Sequence, residues 1–326
     1  MRILIRGAGI AGLTAAFALV RRGHDVTIAE RENAIGLGAS HFAGGMLAPW
    51  CEGESADREV VEAGKMSLQW WEDAVPGAVR RNGTLVVAQP RDDAELDRFA
   101  SRTSHFERIG EEDIARLEPA LTGRFRRALF FKEEAHLDPR MALAGLHRGL
   151  LEAGAIFRFE SPNYPDSGFD RVIDCTGSAR IGETGRLRGV RGEMLYLRTE
   201  EISLSRPVRL LHPRIPLYVA PQPGNRFMVG ATMIESDREG PVTARSVMEL
   251  LNAAYALHPA FGEADLIETG SGIRPAYHDN IPRIGGTGRH LSVNGMYRHG
   301  FLMAPYLAET LAASIEARQP AMEVSA

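Results

Sequence analysis

The periodicity of apolar positions changes several times along the chain. Residues 1–6 form a short apolar strand around Ile3-Leu4-Ile5. Gly7-Ala8-Gly9-Ile10-Ala11-Gly12 follows, and then Leu13, Ala16, Phe17 and Val20 recur at helical spacing up to Arg22. Such a stripe covers a sheet, and Gly23 closes the helix. Val26 to Ala29 reads as a second strand ending at Glu30, so the first thirty residues make a β-α-β unit. Asn33 to Ala48 is rich in Gly and Ala and has little periodicity. A stretch of that length inside a compact protein is more often functional than idle.

Further along, Glu59 to Ala74 reads as a helix, Gly83 to Ala88 as a strand, and Asp92 to Ser101 and Glu111 to Leu117 as short helices. The His136–Pro139 turn leads to a helix over Arg140 to Ala153. Strands are expected at Ile156–Phe159, Arg171–Asp174, Arg191–Arg198, Leu217–Ala220, Phe227–Thr232 and His290–Val293. Val242 to Leu257 is an amphipathic helix. A C-terminal helix follows Pro305 and ends near Ala317, with a frayed tail beyond. Helix-rich α/β sequence lies at both ends and strand-rich sequence in the middle. That order predicts one α/β domain assembled from separated segments with an α+β domain inserted into it.

Composition narrows the class. The chain has 326 residues, a prior of roughly two domains. Apolar residues make up 44% and charged residues 25%, ordinary for a globular protein and too apolar for global disorder. The 38 basic and 42 acidic side chains give a net charge of -4, so no basic excess points to nucleic acid. Cys51 and Cys175 are too few for a disulfide framework and lack zinc-site spacing. The N-terminus is no signal peptide, and the longest uncharged stretch would make a poor membrane span. A reducing, cytoplasmic setting with no membrane partner is expected, and no His/Cys/carboxylate spacing forms a metal site.

The chemistry concentrates in three places. Gly7, Gly9 and Gly12 stand between a strand and a helix: the first permits the tight turn, the second lets backbone approach a pyrophosphate, and the third lets helix pack on strand. Glu30, 18 residues after Gly12, is placed to bind a ribose hydroxyl, which fits NAD or FAD rather than a 2′-phosphate. The second place is Val172-Ile173-Asp174-Cys175-Thr176-Gly177, a strand ending in a small-residue turn. The third is Asn294 to Pro305, just before a helix whose N-terminus favours negative charge.

Together these segments resemble the D-amino-acid oxidase family of FAD enzymes, and within it the glycine oxidases of thiamine biosynthesis. The resemblance spans essentially the whole chain. It is carried by AGGMLAPW (Ala43–Trp50), RGEMLYLR (Arg191–Arg198), VGATMIES (Val229–Ser236), GIRPAYHDNIPRIG (Gly272–Gly285) and NGMYRHGFLMAP (Asn294–Pro305). It implies a Rossmann-type, glutathione-reductase-like FAD-binding domain of residues 1–80, 137–187 and 268–326. An α+β substrate domain with an antiparallel sheet would take residues 81–136 and 188–267.

It also implies noncovalent FAD, since relatives that attach flavin through Cys do so elsewhere in the chain. The nucleotide side would be held by Gly7, Gly9, Ile10, Ala11, Gly12, Glu30 and Arg31. Gly44, Gly45 and Met46 would pass the flavin, Thr176 and Gly177 would make a second backbone approach, and Arg298, His299, Gly300, Phe301 and Leu302 would lie at the pyrimidine edge. Arg274 matches the family's carboxylate clamp, and a guanidinium fork suits a carboxylate. Arg298, Tyr218, Met233 and Met46 are the remaining substrate-side candidates. No acid or base is assigned: His278 and His299 receive no proton-transfer role, and His212 is left open as well.

The implied reaction is hydride transfer from the Cα of glycine, or of a similar small amine-bearing acid, to flavin N5. It gives an imine, then glyoxylate and ammonia, with hydrogen peroxide from oxygen. The imine is expected to supply the thiazole of thiamine, with a thiazole-synthesis partner and a homo-oligomer, a tetramer, in view. Rival readings are a sarcosine or D-amino-acid oxidase of the same family, a flavoprotein that modifies or assembles another protein, and a membrane-linked dehydrogenase. The last lacks any visible membrane feature.

Overall fold

The computed structural model describes residues 1–183, 187–212 and 217–317. The expected frayed tail lies outside the described residues.

The first strand, β1 (Arg2–Arg6), carries Ile3, Leu4 and Ile5 at 0% exposure. A strand so apolar on both faces belongs in a parallel sheet covered on both sides. It lies between β2 (Asp25–Ala29) and Arg171–Asp174, parallel to both. Ile156–Arg158 extends the sheet beyond β2, and His290–Asn294 and the antiparallel Arg283–Thr287 extend it on the other side. Six strands drawn from three distant stretches of chain thus form one sheet.

The helix α1 (Ile10–Val20) packs its Ala and Leu face on this sheet and against the C-terminal helix Gly300–Ala317. Pro305 sits inside that last helix and has no N–H for the Phe301 carbonyl. The Trp71 indole Nε1 donates to the Phe301 oxygen instead, at 2.9 Å. A freed, buried carbonyl is thereby satisfied.

A second, mostly antiparallel sheet runs Ile234–Glu235, Arg188–Arg198, Arg226–Gly230, Leu217–Gln222, Val208–Leu211, Thr84–Ala88, Arg127–Phe131 and Glu107–Gly110. A ninth strand, Asp265–Ala276, lies along Arg188–Arg198 on its other side. The helix Ala244–Leu257 covers one face, with Leu250, Ala254 and Leu257 fully buried among Leu195, Val219 and Val229. The two-stranded pairing of Met46–Leu47 with Ala135–His136 joins the two halves. This is the Rossmann-type α/β fold with an added α+β unit that the sequence predicts. The boundary expected at residue 268 falls inside Asp265–Ala276, which pairs with Arg188–Arg198 along its whole length.

Several elements differ from their expected bounds. The helix over 59–74 is two, Arg58–Gly64 and Ser67–Ala74, and at Gly64 the Leu302 side chain occupies the space a Cβ would take. The strand expected over 227–232 stops at Gly230. Thr232 has left the ladder: its N–H donates to the Glu193 carbonyl, and its Oγ1 accepts from the Glu193 N–H at 2.9 Å. Strands at Glu107–Gly110, Val208–Leu211 and Arg283–Thr287 were not expected at all.

Candidate active site

The glycine-rich turn behaves as its spacing demands. Gly7 has φ +99°, and a Cβ there would stand 2.6 Å from the Cys175 carbonyl oxygen. A Cβ on Gly12 would collide with the Gly7 carbonyl oxygen, so helix and strand touch through that glycine. At Gly9 the nearest atom to an added Cβ is Ser40 Oγ at 3.4 Å, leaving the backbone open to a ligand. Glu30 is fixed at the end of β2: Oε2 accepts the Ala8 N–H at 2.6 Å and Oε1 the Glu32 N–H at 3.1 Å. Ser40 Oγ accepts the Ile10 N–H at 3.0 Å, which brings the Gly/Ala-rich loop onto the helix N-terminus.

From this turn a cavity of about 490 Å³ runs to the face of the second sheet. Every cofactor- or substrate-side candidate of the sequence lines it except Gly12, which is buried beneath. The nucleotide side is formed by Gly7, Gly9, Ile10, Ala11, Glu30 and Arg31, with Gly44, Gly45, Met46, Thr176 and Gly177 further in. His299, Gly300, Phe301 and Leu302 close one end at the start of the last helix. Tyr218, Met233, Arg274 and Arg298 stand at the sheet end. Gly45 and Gly177 have φ +69° and +62°, conformations that only a residue without Cβ adopts readily. His278 is exposed and does not line the cavity; neither does His212.

Arg274 projects from Asp265–Ala276, opposite Val190. Its guanidinium lies over Gly192, where any Cβ would overlap it. It donates to a neutral partner, the Thr232 carbonyl oxygen at 3.0 Å, and among the described residues no carboxylate reaches it. Burial, with the charge of Arg298 nearby, pushes its pKa down to about 10, so it stays cationic at neutral pH.

Arg298 differs. Its Nε and Nη2 lie 3.0 and 2.9 Å from Glu52 Oε2, and His299 Nδ1 is 3.3 Å from the same oxygen. Burial alone would raise the Glu52 carboxyl, but Arg298 and His299 outweigh it and hold it well below the usual carboxylate range. A third arginine, Arg209, donates to the Tyr218 hydroxyl at 2.8 Å and meets Glu54 Oε2 at 3.3 Å. Burial raises the Tyr218 phenol, which therefore remains neutral. Glu52 and Arg209 were not recognised in the sequence. Glu52 stands six residues beyond Met46 and two beyond the marked segment Ala43–Trp50, and a carboxylate so close to that segment was the available signal.

The dinucleotide turn, the cavity spanning two sheets and a half-buried guanidinium that no carboxylate reaches among the described residues suit an oxidoreductase that binds its cofactor through a nucleotide. Comparison with known proteins agrees. The family model described as FAD dependent oxidoreductase (DAO) matches residues 2–314. A Rhizobium etli protein named as a proposed thiamine biosynthesis oxidoreductase, ThiO, is 62% identical over 312 residues, 96% of this chain and 95% of that protein. The crystal structure of glycine oxidase from Geobacillus kaustophilus superposes with a TM-score of 0.80 at 23% identity, covering 99% of this chain and 97% of that one. The bifunctional protein ThiO/ThiG of Trichormus variabilis is 24% identical over 95% of this chain and 52% of its own length. The chain belongs to the D-amino-acid oxidase family of FAD-dependent oxidoreductases. Among its described residues, no helix is long and apolar enough to cross a membrane.

Proposed function

We propose that the protein oxidises glycine, or a similarly small amine-bearing carboxylic acid, with the substrate carboxylate on Arg274. The observation that carries this reading is the state of Arg274: half-buried, cationic, lining the cavity and free of any carboxylate among the described residues. A guanidinium in that condition binds a carboxylate strongly, because the pair forms away from water. The residues that would hold FAD are those of the Gly7–Ala11 turn, Glu30 and Arg31, Gly44 to Met46, Thr176 and Gly177, and Arg298 to Leu302. Their fit rests on the glycine backbone at Gly9 and Gly177, where an added Cβ would meet only Ser40 Oγ at 3.4 Å and Pro275 Cγ at 3.9 Å, so space stays open where side chains would stand. Both thiols are fully buried and held protonated by that burial, which speaks for noncovalent binding.

FAD held there would supply a two-electron acceptor for the hydride of the substrate Cα and a route for those electrons to oxygen, with hydrogen peroxide as the product. The protein's own part is to orient. Arg274 fixes one end of the substrate, and the Gly192 backbone supports the guanidinium. Tyr218, held by Arg209, walls the sheet end. Positioning of this kind supplies much of a barrier reduction without any proton transfer by the protein. Glu52, tied to Arg298 and held ionised, is a poor base for the substrate amine. The released imine hydrolyses to glyoxylate and ammonia, or reacts with a thiazole-synthesis partner. The ThiO/ThiG fusion is in keeping with such a partner. A cytoplasmic setting accords with this role.

Sarcosine is the second substrate reading. Met46, Met194, Met228 and Met233 line the cavity, and Met233 is 47% exposed. Thioether side chains reshape readily around an added methyl group, and one methylene is worth only about 1–3 kcal/mol in such a pocket. Aerobic incubation with glycine should yield glyoxylate, ammonia and peroxide in equal amounts. Peroxide with sarcosine but none with glycine would move the substrate, and none with any small amino acid would end the oxidase reading.

A further inference from the structure

Three arginines face the substrate end of the cavity, and their charges are not equally available. Arg209 is matched by Glu54 and Tyr218. Arg298 is matched by Glu52, through two of its nitrogens on one carboxylate oxygen. Arg274 has only a backbone carbonyl. Glu52 side-chain exposure is 9% and that of Arg298 is 17%, so water does little to screen the pair. One positive charge is therefore left over for a ligand.

We propose that Glu52 is a specificity-determining residue: by keeping Arg298 in an internal ion pair, it limits the cavity to ligands with a single carboxylate and rejects dicarboxylates. The inference rests on the reading that Arg274 receives the substrate carboxylate. A second carboxylate beside the first would meet the arrangement in one of two ways. It would lie next to the Glu52 carboxylate, or it would displace Glu52 from Arg298 and leave that carboxylate buried without a partner. Both are costly in a desolvated site. An unfavourable charge facing the wrong ligand is a common way to discriminate between ligands of similar size. Burial opposes ionisation of Glu52, yet Arg298 and His299 keep it ionised, so the repelling charge persists at neutral pH.

The test uses the FAD-loaded protein and two unreactive probes, acetate and malonate, with binding read from the perturbation of the flavin visible spectrum. Wild type should bind acetate at least tenfold more tightly than malonate. Glu52→Gln frees Arg298 and should shift the malonate-to-acetate affinity ratio at least tenfold toward malonate. Glu52→Gln combined with Arg298→Met restores the charge count and should return the ratio toward the wild-type value. A merely structural role for Glu52 would weaken both probes together and leave the ratio unmoved, which would overturn the proposal. Equal affinities in wild type would overturn it even if the variants did not fold. Glycine added anaerobically to the same samples separates the two readings. A ratio that shifts as stated in a protein glycine cannot reduce leaves the charge rule standing without the oxidase. A fixed ratio in a protein that glycine does reduce does the reverse.

Discussion

At the scale of single residues, the three glycines of the first turn do different work, and the difference is measurable. Gly12→Ala drives a Cβ into the Gly7 carbonyl oxygen, so helix and strand must separate. We expect that variant to lose stability by about 2–3 kcal/mol, the range for overpacking in a core, with a lower unfolding midpoint whether or not FAD is present. Gly9→Ala meets only Ser40 Oγ at 3.4 Å. It should fold with the wild-type apoprotein midpoint but bind FAD more weakly, as flavin fluorescence titration would show. The glycines were legible because each role depends on residue type within a short local pattern, whereas Arg274 was singled out through its match to the family's carboxylate clamp. Glu52 was not legible: its ion pair with Arg298 joins positions 246 apart, and nothing local marks it as a partner rather than a surface acid.

At the scale of elements, the strand pair Arg188–Arg198 and Asp265–Ala276 presents Arg274, the proposed substrate arginine. Val190 faces Arg274 and Gly192 faces Gly272, so the Arg274 side chain folds across a position with no side chain of its own. Gly192→Ala should push the guanidinium aside while leaving the cofactor residues untouched. The expected result is a KM for glycine raised roughly tenfold or more, about the loss of one charged hydrogen bond, with unchanged FAD content. An unchanged KM would mean that Arg274 is not where the substrate binds.

The β1-α1-β2 unit could be read in advance because its periods are strong and its breaks are glycines. Asp265–Ala276 was harder. Gly270, Ser271, Gly272 and Pro275 have low strand propensity, and the strand forms because Arg188–Arg198 pairs with all of it. Gly270 and Gly272 also admit Phe42 and Ala39 of the loop above, a packing need that a sequence shows only as missing side chains.

At the scale of the whole molecule, the loop beside the cavity is tied to the second sheet by a buried acid. Glu134 is at 0% exposure and accepts the Cys51 N–H at 2.7 Å, next to Glu52. Burial raises its pKa from 4.5 to about 7. Between those values the native state keeps a proton that the unfolded chain has lost, so stability falls as pH rises through this window and is level above it. The group accounts for a loss of roughly 3 kcal/mol at most from pH 4.5 to pH 7. Glu134→Gln should flatten that slope in urea unfolding followed against pH, gaining on wild type at pH 8 relative to pH 5. Parallel curves would contradict it.

On the proposed reading, one half-buried arginine, Arg274, holds the carboxylate of a small amino acid against the flavin. Anaerobic mixing of the FAD-loaded protein with glycine, followed in the visible flavin band, tests it most directly. Wild type should bleach. Arg274→Ala should bleach only at glycine concentrations about 10- to 150-fold higher, the worth of a charge-assisted pair. A yellow protein that neither glycine, sarcosine nor a D-amino acid reduces, or an Arg274→Ala variant that bleaches as readily as wild type, would contradict the account.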